Sequence, residues 1–204
     1  MKNNISKFVF ILFLLTFFAA CKQEEKLPIL GNRDVVDGKT IYHTIPDFQF
    51  IDQDSTLINN ATFKDKIYIA NDFFTSCPTI CPKVKQQMLR IYDRFEQEEQ
   101  LKFLSLSIDT RNDTVPKLKK YAQKLDIDAK RWHLVTGEKD HIYDVCDDFF
   151  LVAKEDPDAP GGYDHSGILI LVDKDQRVRA FADGTDPKKV DEMMKNIEKL
   201  LKEG

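Results

Sequence analysis

Residues 66–97 read KIYIANDFFTSCPTICPKVKQQMLRIYDRFEQ, and the pattern changes period partway along. The first part, 66–74, is a short apolar run rich in β-forming side chains, as in a buried strand. Over 79–97 the apolar residues Val84, Met88, Ile91 and Phe95 recur at steps of four, three and four, one stripe of an amphipathic helix. Cys77 and Cys81 fall at the junction, each followed by a proline, Pro78 and Pro82. Both prolines restrict the backbone and lack an N–H, which suits a turn entering a helix.

Working outward, 101–109 (LKFLSLSID) predicts a second strand and 114–125 a second helix, with Pro116 tolerated in its first turn. A strand over 132–136 leads into a helical stretch over 138–149. Two strands, 168–172 and 177–182, flank the turn 173–176, and an amphipathic helix closes the chain over 187–201. Ahead of all these, 41–58 reads as a hairpin around Asp52-Gln53-Asp54-Ser55. This order predicts an α/β, thioredoxin-like fold: a central mixed β-sheet flanked by helices, plus the N-terminal β-hairpin and an insertion around 151–163. No internal repeat or low-complexity segment interrupts it.

The N-terminus has a different character. Lys2 and Lys7 precede an apolar run over 8–20, the layout of an export signal and too short to be read first as a spanning helix. Phe18-Ala19-Ala20-Cys21 resembles the lipobox of bacterial lipoproteins, with Phe where Leu is commoner. Residues 1–20 are therefore expected to be a signal peptide and Cys21 the lipidated residue, placing the protein in the cell envelope, membrane-anchored and facing the periplasm. Residues 21–39 are polar with Pro28, Gly31 and Gly38, and read as a tether. The remaining 40–204 suffice for one domain. Loss of Lys2 and Lys7 takes the net charge from −4 to −6, and no basic patch stands out, so nucleic acid is not expected as a partner.

Export places the thiols in an oxidising setting. Cys77 and Cys81, four apart at a helix start, are expected to face one spot, where the helix N-terminus favours thiolate. A disulfide across so short a loop removes little unfolded-state entropy, which argues against a plain staple and leaves a redox pair or a metal clamp. Of the histidines, His43, His133 and His141 read as packed or solvent-facing. His165, in the loop 161–167 (GGYDHSG) before a strand, lies where a thioredoxin-like fold approaches the cysteine turn. Two sulfurs and one nitrogen suit Cu(I) and can hold Cu(II). Zinc would want a fourth ligand, from Cys146 or a carboxylate. Cys146 itself reads first as a buried, apolar free thiol, and second as a resolving or bridging thiol.

FTSCPTICP (74–82), SIDTRNDT (107–114) and YDHSG (163–167) together resemble the SCO/SenC family of copper chaperones for cytochrome c oxidase. The likeness runs over about 45–200. It implies copper ligation by Cys77, Cys81 and His165, and a role near the metal or in partner docking for Asp109. It also implies a copper-accepting oxidase subunit as partner, a copper-donor protein upstream, and delivery of copper or reduction of the acceptor's cysteines. The alternative is an extracytoplasmic thiol-disulfide oxidoreductase, an enzyme acting through Cys77 and Cys81 without stable copper. Thioredoxins proper have two residues between their cysteines, not three. Peroxiredoxins have threonine three before the attacking cysteine, where this chain has Phe74.

Overall fold

The computed structural model describes residues 26–203, so the expected signal over 1–20 and Cys21 lie outside the described residues. In chain order the strands are β1 (Arg33–Val36), β2 (Lys39–Tyr42), β3 (Gln49–Asp52), β4 (Leu57–Asn59), β5 (Ile67–Phe73) and β6 (Leu101–Ser107). They continue as β7 (Trp132–Thr136), β8 (Ala153–Glu155), β9 (Tyr163–His165), β10 (Ile168–Val172) and β11 (Val178–Asp183). The α-helices are α1 (Cys81–Arg94), α2 (Val115–Leu125), α3 (Lys139–Asp148) and α4 (Pro187–Lys202).

Seven strands form one mixed sheet in the order β11-β10-β5-β6-β7-β3-β4. The central three, β5, β6 and β7, are parallel, and the outer neighbours are antiparallel. Every residue of β5 is buried, which is why 66–74 shows an apolar run rather than alternation. The helices flank this sheet as the sequence order predicts for a thioredoxin-like domain. In α1 the stripe Val84, Met88 and Ile91 is buried, each side chain contributing roughly 1.5–3 kcal/mol. Phe95 falls just past that helix as its C-cap.

The expected hairpin over 41–58 is present as β3 and β4, and it extends the main sheet beyond β7 instead of standing apart from it. Asp52 makes its turn: one carboxylate oxygen accepts from the N–H groups of Asp54 and Thr56, and the other bonds the buried His133. A second hairpin, β1–β2, turns at Asp37-Gly38, where both residues have positive φ (50° and 73°) as a tight two-residue turn requires.

Residues from Leu27 onward, read from composition as part of a tether, are fastened to the domain. Leu27 and Leu30 pack on the core, and the Leu30 N–H donates to the Val178 carbonyl. The buried Arg179 guanidinium donates to the carbonyls of Leu27 and Pro28 and to the carboxylates of Asp173 and Glu203, and the Leu27 N–H donates to Glu203 as well. Removing the cation would strand buried acceptors. Arg179→Ala is therefore expected to cost about 3 kcal/mol in a urea titration, with new proteolytic cuts appearing over 27–32. An unchanged midpoint and an uncut N-terminus would show that the clamp contributes nothing.

Candidate metal centre

Cys77 and Cys81 are delivered by the end of β5 and the start of α1. The helix begins later than its periodicity suggests: Cys81 is its first residue, and Cys77 lies four residues earlier in the preceding turn. Ile80, the N-cap, offers no side-chain oxygen to the open N–H groups. The Cys77 sulfur takes that place, facing the backbone N–H groups of Thr79 and Cys81.

The two thiols are equally inaccessible, at 8% and 6% exposure, but differ in acidity. Burial alone would raise Cys77, yet the N–H groups of Thr79 and Cys81, with the Cys81 thiol and the Thr79 hydroxyl, outweigh it and hold it below the ordinary thiol range. Burial pushes Cys81 well up, and neighbouring Cys77 and Asp72 push it further. A Cys77 more exposed than Cys81, as expected of an attacking thiol, is not found: the two differ in acidity and not in access. Backbone donors, not solvent access, make Cys77 the readier thiolate.

His165 is the last residue of β9, a strand rather than the expected loop, and it pairs with Ala153 across the β8–β9 hairpin. Its Nε2 lies 3.3 Å from the Cys77 sulfur and 3.3 Å from the Cys81 sulfur. Nδ1 lies 3.3 Å from the Tyr163 carbonyl, which only accepts, so Nδ1 carries the hydrogen and Nε2 turns a lone pair towards both sulfurs. Burial lowers the imidazole's pKa against the opposing pull of the Tyr163 carbonyl and Asp164, favouring the neutral form. Gly161 brings the insertion close: with φ at +84°, a Cβ there would meet the Phe74 ring at 2.9 Å.

The three candidate ligand atoms lie within 4.8 Å of one another, the one such group of His, Cys, Asp or Glu among the described residues. Two thiols and an oriented neutral imidazole form a soft donor set of the kind that accepts a thiophilic metal. Cys146 is fully buried on α3 and outside this group, its thiol pushed up by burial, in keeping with a packed apolar role. His43 bonds the Asp148 carbonyl, His133 bonds Asp52, and His141 packs on Phe50. None of them joins the centre.

Asp109 is buried at the end of the β6 segment and accepts from the Tyr163 hydroxyl at 2.8 Å and from the Asn112 amide. The sequence reading passed over Thr75, Asp113 and Asp72. Asp113 holds Thr75, two residues before Cys77. Asp72, near the end of β5, has one oxygen 3.3 Å from the Ser166 hydroxyl and the other without a partner among the described residues. Burial raises its carboxyl to about 7. An acid within a buried run was the available signal for Asp72, and the paired acids of SIDTRNDT for Asp113.

Among solved structures, a SCO1/SenC family lipoprotein from Bacillus anthracis is 25% identical, with a TM-score of 0.70 over 78% of this chain and 95% of that one. BsSco, a member of the Sco family of cytochrome c oxidase assembly proteins, shares the fold at 22% identity and a TM-score of 0.69 over 86% and 98% of the two chains. ScoI from Arabidopsis thaliana, solved with copper bound, shares it at 20% identity and a TM-score of 0.63 over 75% and 97%. The family model described as SCO1/SenC matches residues 37–202, and the chain belongs to that family.

Proposed function

We propose that this chain is a copper-binding assembly factor of the cell envelope. Cys77, Cys81 and His165 hold one copper ion, which passes to the copper-accepting subunit of a cytochrome c oxidase. The observation that carries this reading is the single imidazole nitrogen at 3.3 Å from both sulfurs. A dithiol reductase needs no such nitrogen, whereas a three-ligand clamp does. Copper in the Arabidopsis ScoI structure and the oxidase-assembly family of BsSco support it.

In this reading the residues divide the labour. Cys77 offers a thiolate first, His165 a lone pair already aimed, and Cys81 becomes a ligand only by giving up its proton. Three ligands leave room for an acceptor's thiolate, so cargo received from a copper donor moves onward by ligand exchange. Binding is therefore coupled to proton release. Titrating the anaerobic reduced protein with Cu(I) at pH 7 is expected to reach about one copper per chain, with protons released as the thiols become ligands, that of Cys81 among them. Absence of copper uptake, or uptake with no proton release, would refute this assignment of roles.

The N-terminal clamp lies far from the centre along the sheet. With Cys21 lipidated and Leu27 fastened, six residues allow at most about 20 Å between lipid and domain. The clamp lies beside Asp173, just beyond the end of β10, and His165 lies before that strand begins. In this reading the anchor and the centre lie at opposite ends of β10, which suits a centre turned towards a periplasmic partner. That the Bacillus anthracis relative is a lipoprotein supports the anchor.

A second reading rests on the same free thiols. The Cys77 thiolate attacks an acceptor disulfide, forming a mixed disulfide and releasing one acceptor thiolate. Cys81 then attacks the Cys77 sulfur, releasing the second. The acceptor gains two electrons and this chain retains a Cys77–Cys81 disulfide. The high pKa of Cys81 slows that second step. This chemistry is consistent with preparing an acceptor for copper more than with rapid turnover. Lack of turnover on an acceptor-derived disulfide peptide would remove it.

A further inference from the structure

We propose that the turn after β6, residues 108–114, is a bracket that positions the two halves of the centre separately: Asp113 sets the sulfurs through Thr75, and Asp109 sets the imidazole through Tyr163. In part this rests on the copper reading, because the nitrogen half is tested through a metal as well as without one.

Both carboxylates are buried, Asp113 completely, so each is costly unless its oxygens are satisfied. Asp113 accepts from the Thr75 N–H at 2.8 Å, the Thr75 hydroxyl at 2.5 Å, the Ser107 hydroxyl at 2.8 Å and the Lys117 ammonium at 2.9 Å. One residue of the cysteine turn is thus gripped by both backbone and side chain. The same turn is closed by the Cys77 N–H donating to the Phe74 carbonyl.

Asp109 grips the opposite side. It accepts the Tyr163 hydroxyl, and the Tyr163 carbonyl in turn accepts from His165 Nδ1. The Tyr163 ring packs on Phe74 at 5.0 Å, and Phe74 meets the His165 ring at 5.1 Å. The carboxylates belong to one rigid turn, since the Asp113 N–H donates to the Asp109 carbonyl at 2.8 Å. From α3 the Tyr143 hydroxyl donates to the Ile108 carbonyl and seats the turn. Ligands must be held to within about 0.5 Å for a defined site, and this one turn reaches both halves through buried acids. Asp109, Asp113, Thr75 and Tyr163 are positioning residues.

Thr75→Val keeps shape and deletes the hydroxyl, Thr75→Ser restores a hydroxyl, and Tyr163→Phe deletes only the phenolic OH. In full-length reduced protein, the alkylation rate of Cys77 and the Cys77–Cys81 reduction potential report the sulfur half. Carbon-bound imidazole proton shifts of His165 report the nitrogen half, and Cu(II) affinity and the Cu(II) EPR spectrum report both halves together, because all three side chains are the proposed ligands. Thr75→Val is expected to change the alkylation rate severalfold while moving the His165 imidazole shifts little, with Thr75→Ser returning towards the parent. Tyr163→Phe is expected to shift the imidazole protons and weaken Cu(II) by about 10–100-fold, more than it changes alkylation. Lower melting temperatures with every site readout at parent values would overturn the bracket. So would equal effects of both variants on both halves, or no recovery in Thr75→Ser. If the parent binds no copper, the proposed function fails, while alkylation and the imidazole shifts still decide the bracket.

Discussion

Asp72→Asn is expected to raise the unfolding temperature of the metal-free protein at pH 8 by roughly 10 °C, and the gain is expected to disappear as the pH falls towards 4. The side chain is 2% exposed, and its second carboxylate oxygen has no partner among the described residues. Burial raises its carboxyl from 3.8 to about 7 against the weaker pull of Ser166. Between those values the folded protein keeps a proton that the unfolded chain has lost. The stabilising contribution is therefore complete below about 3.8 and is lost as pH rises to about 7, where the difference amounts to roughly 4 kcal/mol. For a domain of this size that corresponds to the stated shift. Melting curves of parent and variant at half-unit steps from pH 4 to 8 decide it. Parallel curves would mean that Asp72 carries no raised pKa.

At neutral pH Asp72 is expected to cost stability instead of adding it. Near Ser166, it lies close to the base of the His165 strand, and its charge is among the influences that raise Cys81. The expected cost in stability at neutral pH comes from placing a charge beside the candidate ligand thiols. This is the kind of local conflict expected at a functional site.

The architecture was legible where a period was unambiguous. Val84, Met88 and Ile91 marked the buried face of α1, and the strands 132–136 and 168–172 appear with the same bounds. The β1–β2 hairpin was missed because its strands are four residues each and Val35, Val36 and Ile41 are exposed, so no buried face advertises them. Asp37-Gly38 was the available signal. Likewise β8–β9 has three-residue strands within a charge-rich insertion. Leu27 looked like tether because its fastening depends on Arg179 and Glu203, more than 150 residues away.

For the centre, residue identity was legible through motifs and geometry was not. FTSCPTICP and YDHSG named the three candidate ligands, which the structure brings together. The unequal acidity of the thiols follows from where α1 begins, a matter of two residues that periodicity cannot fix. Asp109 was recognised but Asp113 was not, although the two sit in one eight-residue motif. Only the fold shows that they point to different halves of the site.

The central claim is that His165 completes a copper clamp with Cys77 and Cys81, and its direct test is the Cu(II) affinity of reduced His165→Ala protein beside the parent. Loss of a ligand should exceed the 10–100-fold typical of losing a residue that only supports one. The account predicts a loss of more than 100-fold in Cu(II) affinity, with thiol-disulfide exchange through Cys77 and Cys81 retained. Unchanged copper affinity together with abolished exchange would contradict it.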